Sequence, residues 1–163
     1  MKISIEESQC SAPGNNCLPA RTIRTFLAED APLMTALLAR ILSKDKRITI
    51  VGSATDGWKA LCGASTLQPE LVLTDLHLPG LDGPEVMRRL KQRPNPPMIF
   101  VVTTDDSSES RARCRSAGAD AFVVKAGNLA PRLLSAIQEF FPDALEPNDA
   151  EPKHLCESLT TVE

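Results

Sequence analysis

Apolar positions along the chain fall into two patterns that alternate five times. Short β-branched and apolar runs stand at 22–28, 48–54, 71–74, 98–102 and 121–124. Between them lie segments whose apolar residues recur at three and four, the spacing that lines one face of a helix. Pro32 opens the first such segment, with Leu33, Met34, Leu37, Leu38, Ile41 and Leu42 as its stripe. Asp56 is placed to cap the second, which carries Trp58, Ala60 and Leu61, although Gly57 and Gly63 lower its intrinsic helix preference. The third starts at Pro84 and turns Val86, Met87 and Leu90 inward before Pro94, Pro96 and Pro97 end it. A fourth begins at Ser107 or Ser108 and closes at Gly118. The fifth, capped by Asn128, buries Leu133, Leu134, Ile137, Phe140 and Phe141.

Strands such as Leu71-Val72-Leu73-Thr74 are apolar on both faces, as a parallel sheet covered by helices on each side requires. The pattern therefore predicts an α/β architecture: a five-stranded parallel sheet flanked by helices, doubly wound. Its boundaries are 21–142. Residues 1–20 form a lead-in with Pro13, Gly14, Asn15, Asn16 and Pro19. Residues 143–163 form a flexible tail with Pro147, Asn148, Asp149 and Pro152, too short for an output domain.

Composition narrows the class. With 163 residues, 42% hydrophobic and 24% charged, the chain suits one folded domain. A net charge of −3 argues against a protein that coats nucleic acid. The longest apolar run, 98–102, is far short of the ~18 residues of a membrane span, and Glu6 and Glu7 stand where a secretory leader needs apolar residues. The expectation is a cytoplasmic protein with reduced thiols, since its five cysteines show no C-x-x-C pair. The arginines at 88, 89, 93, 111, 113 and 115, with Lys91, read as solvated helix faces, and Trp58 as packing on a neighbouring surface.

Ligands of open α/β sheets gather at the carboxyl ends of the strands. Those ends hold Glu29 and Asp30, Asp75, Thr103 and Lys125. Three carboxylates so placed repel one another by about 4 kcal/mol per pair at ~4 Å and an effective dielectric near 20. Either proton uptake or a hard divalent cation relieves that repulsion, and oxygen ligands with waters suit Mg²⁺. Lys125 adds a positive charge and Thr103 a hydroxyl. The set is complementary to a phosphoryl group, which a carboxylate can attack at phosphorus. No P-loop, nucleophile elbow or G-x-G-x-x-G follows the first strand.

The segment LVLTDLHLPGLDG, with an acidic pair upstream, a threonine after the fourth strand and a lysine after the fifth, resembles the receiver domain of two-component response regulators over roughly residues 21–141. That resemblance implies a (βα)5 flavodoxin-like fold and a phospho-acceptor signalling domain without turnover of its own beyond self-phosphorylation and dephosphorylation. It implies that Asp75 takes the phosphoryl group, and that Glu29, Asp30, Asp75 and the backbone carbonyl of His77 hold Mg²⁺. Thr103 and Lys125 would bind the phosphoryl group, and Phe122 would be the switch aromatic. The partners it implies are a sensor histidine kinase or phosphotransfer protein and a downstream effector, with self-association through the face of helix four, strand five and helix five. The spacings fit successive crossovers: 45 residues separate Asp30 from Asp75, 28 separate Asp75 from Thr103, and 22 separate Thr103 from Lys125. Ala126 stands where many receivers carry proline, and the acidic pair is Glu-Asp instead of Asp-Asp. His77 and Asp105 flank the centre, at positions that in this family influence acyl-phosphate lifetime.

Three other readings compete. The chain could be the receiver portion of a DNA-binding transcriptional regulator. It could be a haloacid-dehalogenase-type enzyme, although His77 stands where that chemistry needs a second acid. Or it could be an interaction module that no longer turns over phosphate.

Overall fold

The computed structural model describes residues 22–142. Ten elements alternate along them: β1 (Ile23–Ala28), α1 (Pro32–Leu42), β2 (Ile48–Ala54), α2 (Gly57–Leu67), β3 (Leu71–Thr74), α3 (Gly83–Lys91), β4 (Met98–Thr103), α4 (Ser108–Ser116), β5 (Ala121–Val124) and α5 (Leu129–Phe140). All strand pairings are parallel, in the order β2-β1-β3-β4-β5. This is the doubly wound sheet the sequence pattern predicts. The segments 1–21 and 143–163, assigned above to lead-in and tail, lie outside the described residues.

Alternation along each strand builds two cores, because successive side chains leave opposite faces. Phe26, Val72, Ile99 and Val101 point to the layer formed by α2, α3 and α4, where Ala60, Ala64, Val86, Met87, Leu90 and Cys114 are buried. Leu27, Leu73, Phe100, Val102 and Val123 point to α1 and α5, against Leu38, Ile41, Leu133 and Ile137. β3, at the centre, is buried at every position; β2, at an edge, is buried only at its ends, Ile48 and Ala54, and exposes Ile50.

Caps follow the sequence with one exception. The Asp56 carboxylate accepts from the Lys59 N–H at 2.8 Å, and the Ser107 hydroxyl from the Ser110 N–H at 3.2 Å. After α4, Gly118 takes φ +95, its N–H reaching the Arg115 carbonyl and the Ala119 N–H the Cys114 carbonyl, both at 3.0 Å. That is a left-handed stop suited to glycine. Asn128 occupies the cap position of α5 but makes no side-chain capping bond.

Several expectations are corrected. Leu33 and Leu37 are not part of the buried stripe of α1; they are 87% and 43% exposed. At 100° per residue Leu37 lies about 90° and Leu33 about 130° from the centre of the Leu38, Ile41 and Leu42 stripe, and the sheet covers only the stripe. Phe140 is exposed along one side, its ring edge-on to Phe100 with centroids 5.2 Å apart. Lys91 and Arg93 are not freely solvated. Lys91 bonds the Pro97 carbonyl at 2.9 Å and Asp120 at 2.6 Å, while Arg93 donates to the carbonyls of Ala64 and Ser65, both at 3.0 Å. These cations tie helix ends to loops.

The two glycines that weaken α2 as a helix are required by packing. A Cβ on Gly63 would stand 2.7 Å from the Phe26 ring, and one on Gly57 would stand 1.9 Å from the Leu81 carbonyl oxygen. The second obstacle is backbone and cannot rotate away. Helix propensity alone makes Gly57→Ala stabilising by up to ~1 kcal/mol; the close approach to Leu81 predicts a loss of about 1–3 kcal/mol in urea unfolding. A midpoint at or above wild type would show that the loop bearing Leu81 yields freely.

Candidate functional site

Sheet register places the chemistry. Ala28 pairs with Thr74, so the next residues, Glu29 and Asp75, leave adjacent strands at the same level, with the Asp75 N–H on the Ala28 carbonyl at 2.9 Å. Thr103 pairs with Val124, and the Lys125 N–H reaches the Thr103 carbonyl at 2.7 Å. Gly83 lets the start of α3 close on this edge: a Cβ there would stand 2.4 Å from the Asp75 carbonyl oxygen.

Lys125 starts on β5, two strands and so ~10 Å from β3. Its side chain crosses the end of β4, and Nζ sits 2.5 Å from Asp75 Oδ2 and 2.6 Å from Glu29 Oε2. The ammonium and both carboxylates are largely withdrawn from water, with side-chain exposures of 6%, 12% and 3% for Lys125, Asp75 and Glu29. Burial pushes the Glu29 carboxyl up from its ordinary value, against the hydrogen bond and charge of Lys125 that pull it down. Burial likewise opposes the charge on Lys125, but hydrogen bonds to Asp75 and Glu29 outweigh it and leave its pKa raised. One ammonium cannot neutralise two carboxylates, and the more deeply buried Glu29 carries the deficit.

Asp30 follows on the exposed side, and oxygens of Glu29, Asp30 and Asp75 all lie within 4.8 Å of one another. Three carboxylates against one lysine leave a formal double negative charge in a small notch. Its donors are all hard oxygens, which suits a hard divalent cation better than a soft one.

A second set of contacts lies beside the first. The His77 N–H donates to Asp75 Oδ1 at 3.3 Å, while its exposed ring places Nε2 3.8 Å from Asp105 Oδ2. Asp105 is held by the Ser110 hydroxyl and by the Ser107 N–H at 2.9 Å, which lower its pKa to about 2. The Asp105 N–H in turn approaches the hydroxyl oxygen of Thr103, itself fully buried, at 3.4 Å.

The strand-end residues read from the sequence are thus brought together: Glu29, Asp30, Asp75 and Lys125 directly, Thr103 at the end of the intervening strand. Phe122 stands apart from the carboxylates, half-buried, with the Arg111 guanidinium 4.5 Å over its ring. The bond after Lys125 is trans, as throughout the described residues, and the Ala126 N–H turns back to the Val124 carbonyl at 2.8 Å. The anchoring of Asp105 by Ser107 and Ser110 was not read from the sequence. A serine cap two residues beyond an aspartate was the available signal.

Comparison with known proteins agrees with this geometry. Residues 25–138 match the response regulator receiver domain family. The chain is 35% identical over 102 residues to a protein-glutamate methylesterase/protein-glutamine glutaminase of Methanospirillum hungatei, covering 63% of this chain and 29% of that protein. The chain spans between 23% and 38% of the length of the methylesterase relatives it matches. Among solved structures, it is similar to a two-component response regulator of the LuxR family from Aurantimonas sp. (TM-score 0.69, 26% identity, covering 75% of this chain and 86% of that one). The fold is also that of the response regulator domain of Thermotoga maritima CheB (TM-score 0.65, 22% identity, covering 76% and 96%).

Two measurements probe these electrostatics. Lys125→Met strips both buried carboxylates of their counter-charge and is expected to lower stability by about 3–5 kcal/mol in metal-free urea unfolding; a loss below ~1 kcal/mol would mean water already compensates them. Asp105, with its folded pKa below its ordinary value of 3.8, binds fewer protons in the fold than in the unfolded chain. It contributes stability above that value that is lost as pH falls toward about 2. Asp105→Asn should therefore flatten the acid limb of a stability–pH profile between these values. An unchanged slope would contradict the bonds assigned to Asp105.

Proposed function

The chain belongs to the response regulator receiver domain family, and on that premise we propose that it is a phosphorylation-controlled switch whose acceptor is Asp75. The observation that carries the reading is the Lys125 ammonium held between Glu29 and Asp75, a positive charge already placed where phosphoryl oxygens would arrive. An oxygen of Asp75 attacks phosphorus of a phosphohistidine on a sensor kinase or phosphotransfer protein. The P–N bond breaks as the O–P bond forms, and its electron pair stays on the imidazole nitrogen, which takes up a proton. Lys125 then exchanges a carboxylate for a phosphoryl oxygen, and the Thr103 hydroxyl donates to another. Glu29, Asp30, Asp75 and the backbone carbonyl of His77 would hold Mg²⁺, which supplies charge neutralisation at the transferring group. Burial of the Lys125 and Glu29 side chains keeps water from screening these charges.

Phosphorylation adds about −1.5 to −2 charge at the strand ends. Drawing Thr103 and Lys125 toward it shifts β4 and β5 and, with Phe122, the face formed by α4, β5 and α5, toward a form that binds an effector or a second copy. A second reading, the receiver portion of a DNA-binding transcriptional regulator, is favoured by the similarity to the LuxR-family response regulator. The dehalogenase-type reading has no support at the place of its second acid, where His77 turns to Asp105.

The test is intact-protein mass after incubation with Mg²⁺ and a small acyl phosphate or a phosphorylated kinase. Wild type gains one phosphoryl group, Asp75→Asn gains none, and Glu29→Gln or chelation slows the gain at least tenfold. Equal gain by Asp75→Asn would remove the assignment. No gain by wild type, with partner binding retained, would favour an interaction module that does not use phosphate.

A further inference from the structure

A small groove with basic side chains lies between α4 and β5, and the chain's residues 143–163 are acidic. The groove, about 130 Å³, lies between α4 and β5 and is lined by Arg111, Cys114, Arg115, Ala119, Asp120 and Phe122 among others. It has room for a side chain or two and is far smaller than a cofactor site. Two of its charges are already engaged within the fold: Asp120 pairs with Lys91, and Arg111 with Asp106 while lying over Phe122. Arg115, on the outer side of α4, is exposed and makes no ion pair among the described residues, so the groove keeps an unshared positive charge.

Charge is divided unevenly along the sequence. Residues 143–163 hold Asp143, Glu146, Asp149, Glu151, Glu157 and Glu163 against Lys153 alone, a net −5 in a chain whose total is −3, which leaves +2 on residues 1–142. The exit point is favourable. The ring of Phe140, in the last turn of α5, touches Phe100, whose partner in the sheet is Ala121, itself part of the groove's lining. β5 is an edge strand, so no further strand stands between the α5 side and the α4 side beyond it. The path around it is about one sheet-to-helix layer, ~10 Å, or roughly three or four extended residues at ~3.3 Å each. Glu146 is the first acid beyond that length. Tethering at this distance gives an effective concentration in the millimolar range, enough for a weak, screened contact to be populated.

We propose that residues 143–163 dock in cis on the α4–β5 groove, carboxylates from Glu146 onward meeting Arg115 and the rim around Phe122. Docked there, the segment competes with any partner that uses this face. The contact does not depend on phosphorylation of Asp75, so the two proposals fail separately.

The test is amide NMR of the uniformly labelled full chain, comparing wild type with a neutralised variant (Glu146→Gln, Asp149→Asn, Glu151→Gln, Glu157→Gln) and with Arg115→Glu, whose site is exposed. Neutralisation should shift the amides of Arg115, Gly118, Ala119, Ala121 and Phe122 toward the positions wild type takes at high salt, leaving Ile50 and Leu67 in place. In Arg115→Glu, high salt should move the remaining groove amides less than in wild type. Groove amides that coincide in wild type and the neutralised variant would overturn the proposal. So would shifts that vanish on dilution, since they would assign the groove to the segment of a second copy.

Discussion

One ammonium shared by two buried carboxylates is the constraint on which the strand-end site depends. Lys125 reaches Asp75 and Glu29 from two and three strands away, so the contact depends on the register that links β1, β3, β4 and β5. The Ala28–Thr74, Thr74–Val101 and Thr103–Val124 pairings set it, with Lys125 following β5 two residues beyond the level of Asp75. A one-residue slip in any of them would send the side chain that follows to the other side of the sheet. A buried ion pair of this kind is a poor source of net stability, because desolvation consumes most of the Coulomb gain. Its consequence is electrostatic: three carboxylates against one ammonium leave the notch with a net negative charge beside a fixed positive one.

The rest of the architecture closes around that notch. Glycines appear where backbone segments come close: Gly83 beside the Asp75 carbonyl at the notch, and Gly57 beside the Leu81 carbonyl in the loop before α3. Asp105, tied by Ser107 and Ser110 at the start of α4, links the end of β4 to that helix. Contacts thus run from Thr103 through Asp105 to α4, and from Arg111 of α4 to Phe122 of β5. These are short contacts between neighbouring elements, which is how a change of charge at a strand end can alter a face several residues away.

Much of this was legible in the sequence because the two periods differ so clearly. Apolar runs at 71–74 and 98–102 admit no other arrangement as easily as buried parallel strands, and the polar residue after each run marks the edge where ligands collect. What the sequence concealed depends on distance across the fold. Leu33 and Leu37 have the spacing of a buried stripe, yet whether a helix flank is covered is decided by the width of the sheet beneath it. Gly57 and Gly63 read as weaknesses of α2 because their reason lies on Leu81 and Phe26, far along the chain. Lys91 and Arg93 look like solvent-facing cations until the carbonyls they cap come into view. Periodicity reports which residues share a face, not what stands opposite.

If Lys125 and a divalent cation draw on the same carboxylates, removing the lysine's charge must strengthen the cation's hold. Calorimetric titration of Mg²⁺ into wild type and Lys125→Gln, at one pH and ionic strength and with both shown folded, measures this directly. The predicted result is tighter Mg²⁺ binding by Lys125→Gln. Equal binding would mean that the ammonium and the metal site are electrostatically independent, and weaker binding that Lys125 supports the metal site; either result contradicts competition for the shared carboxylates.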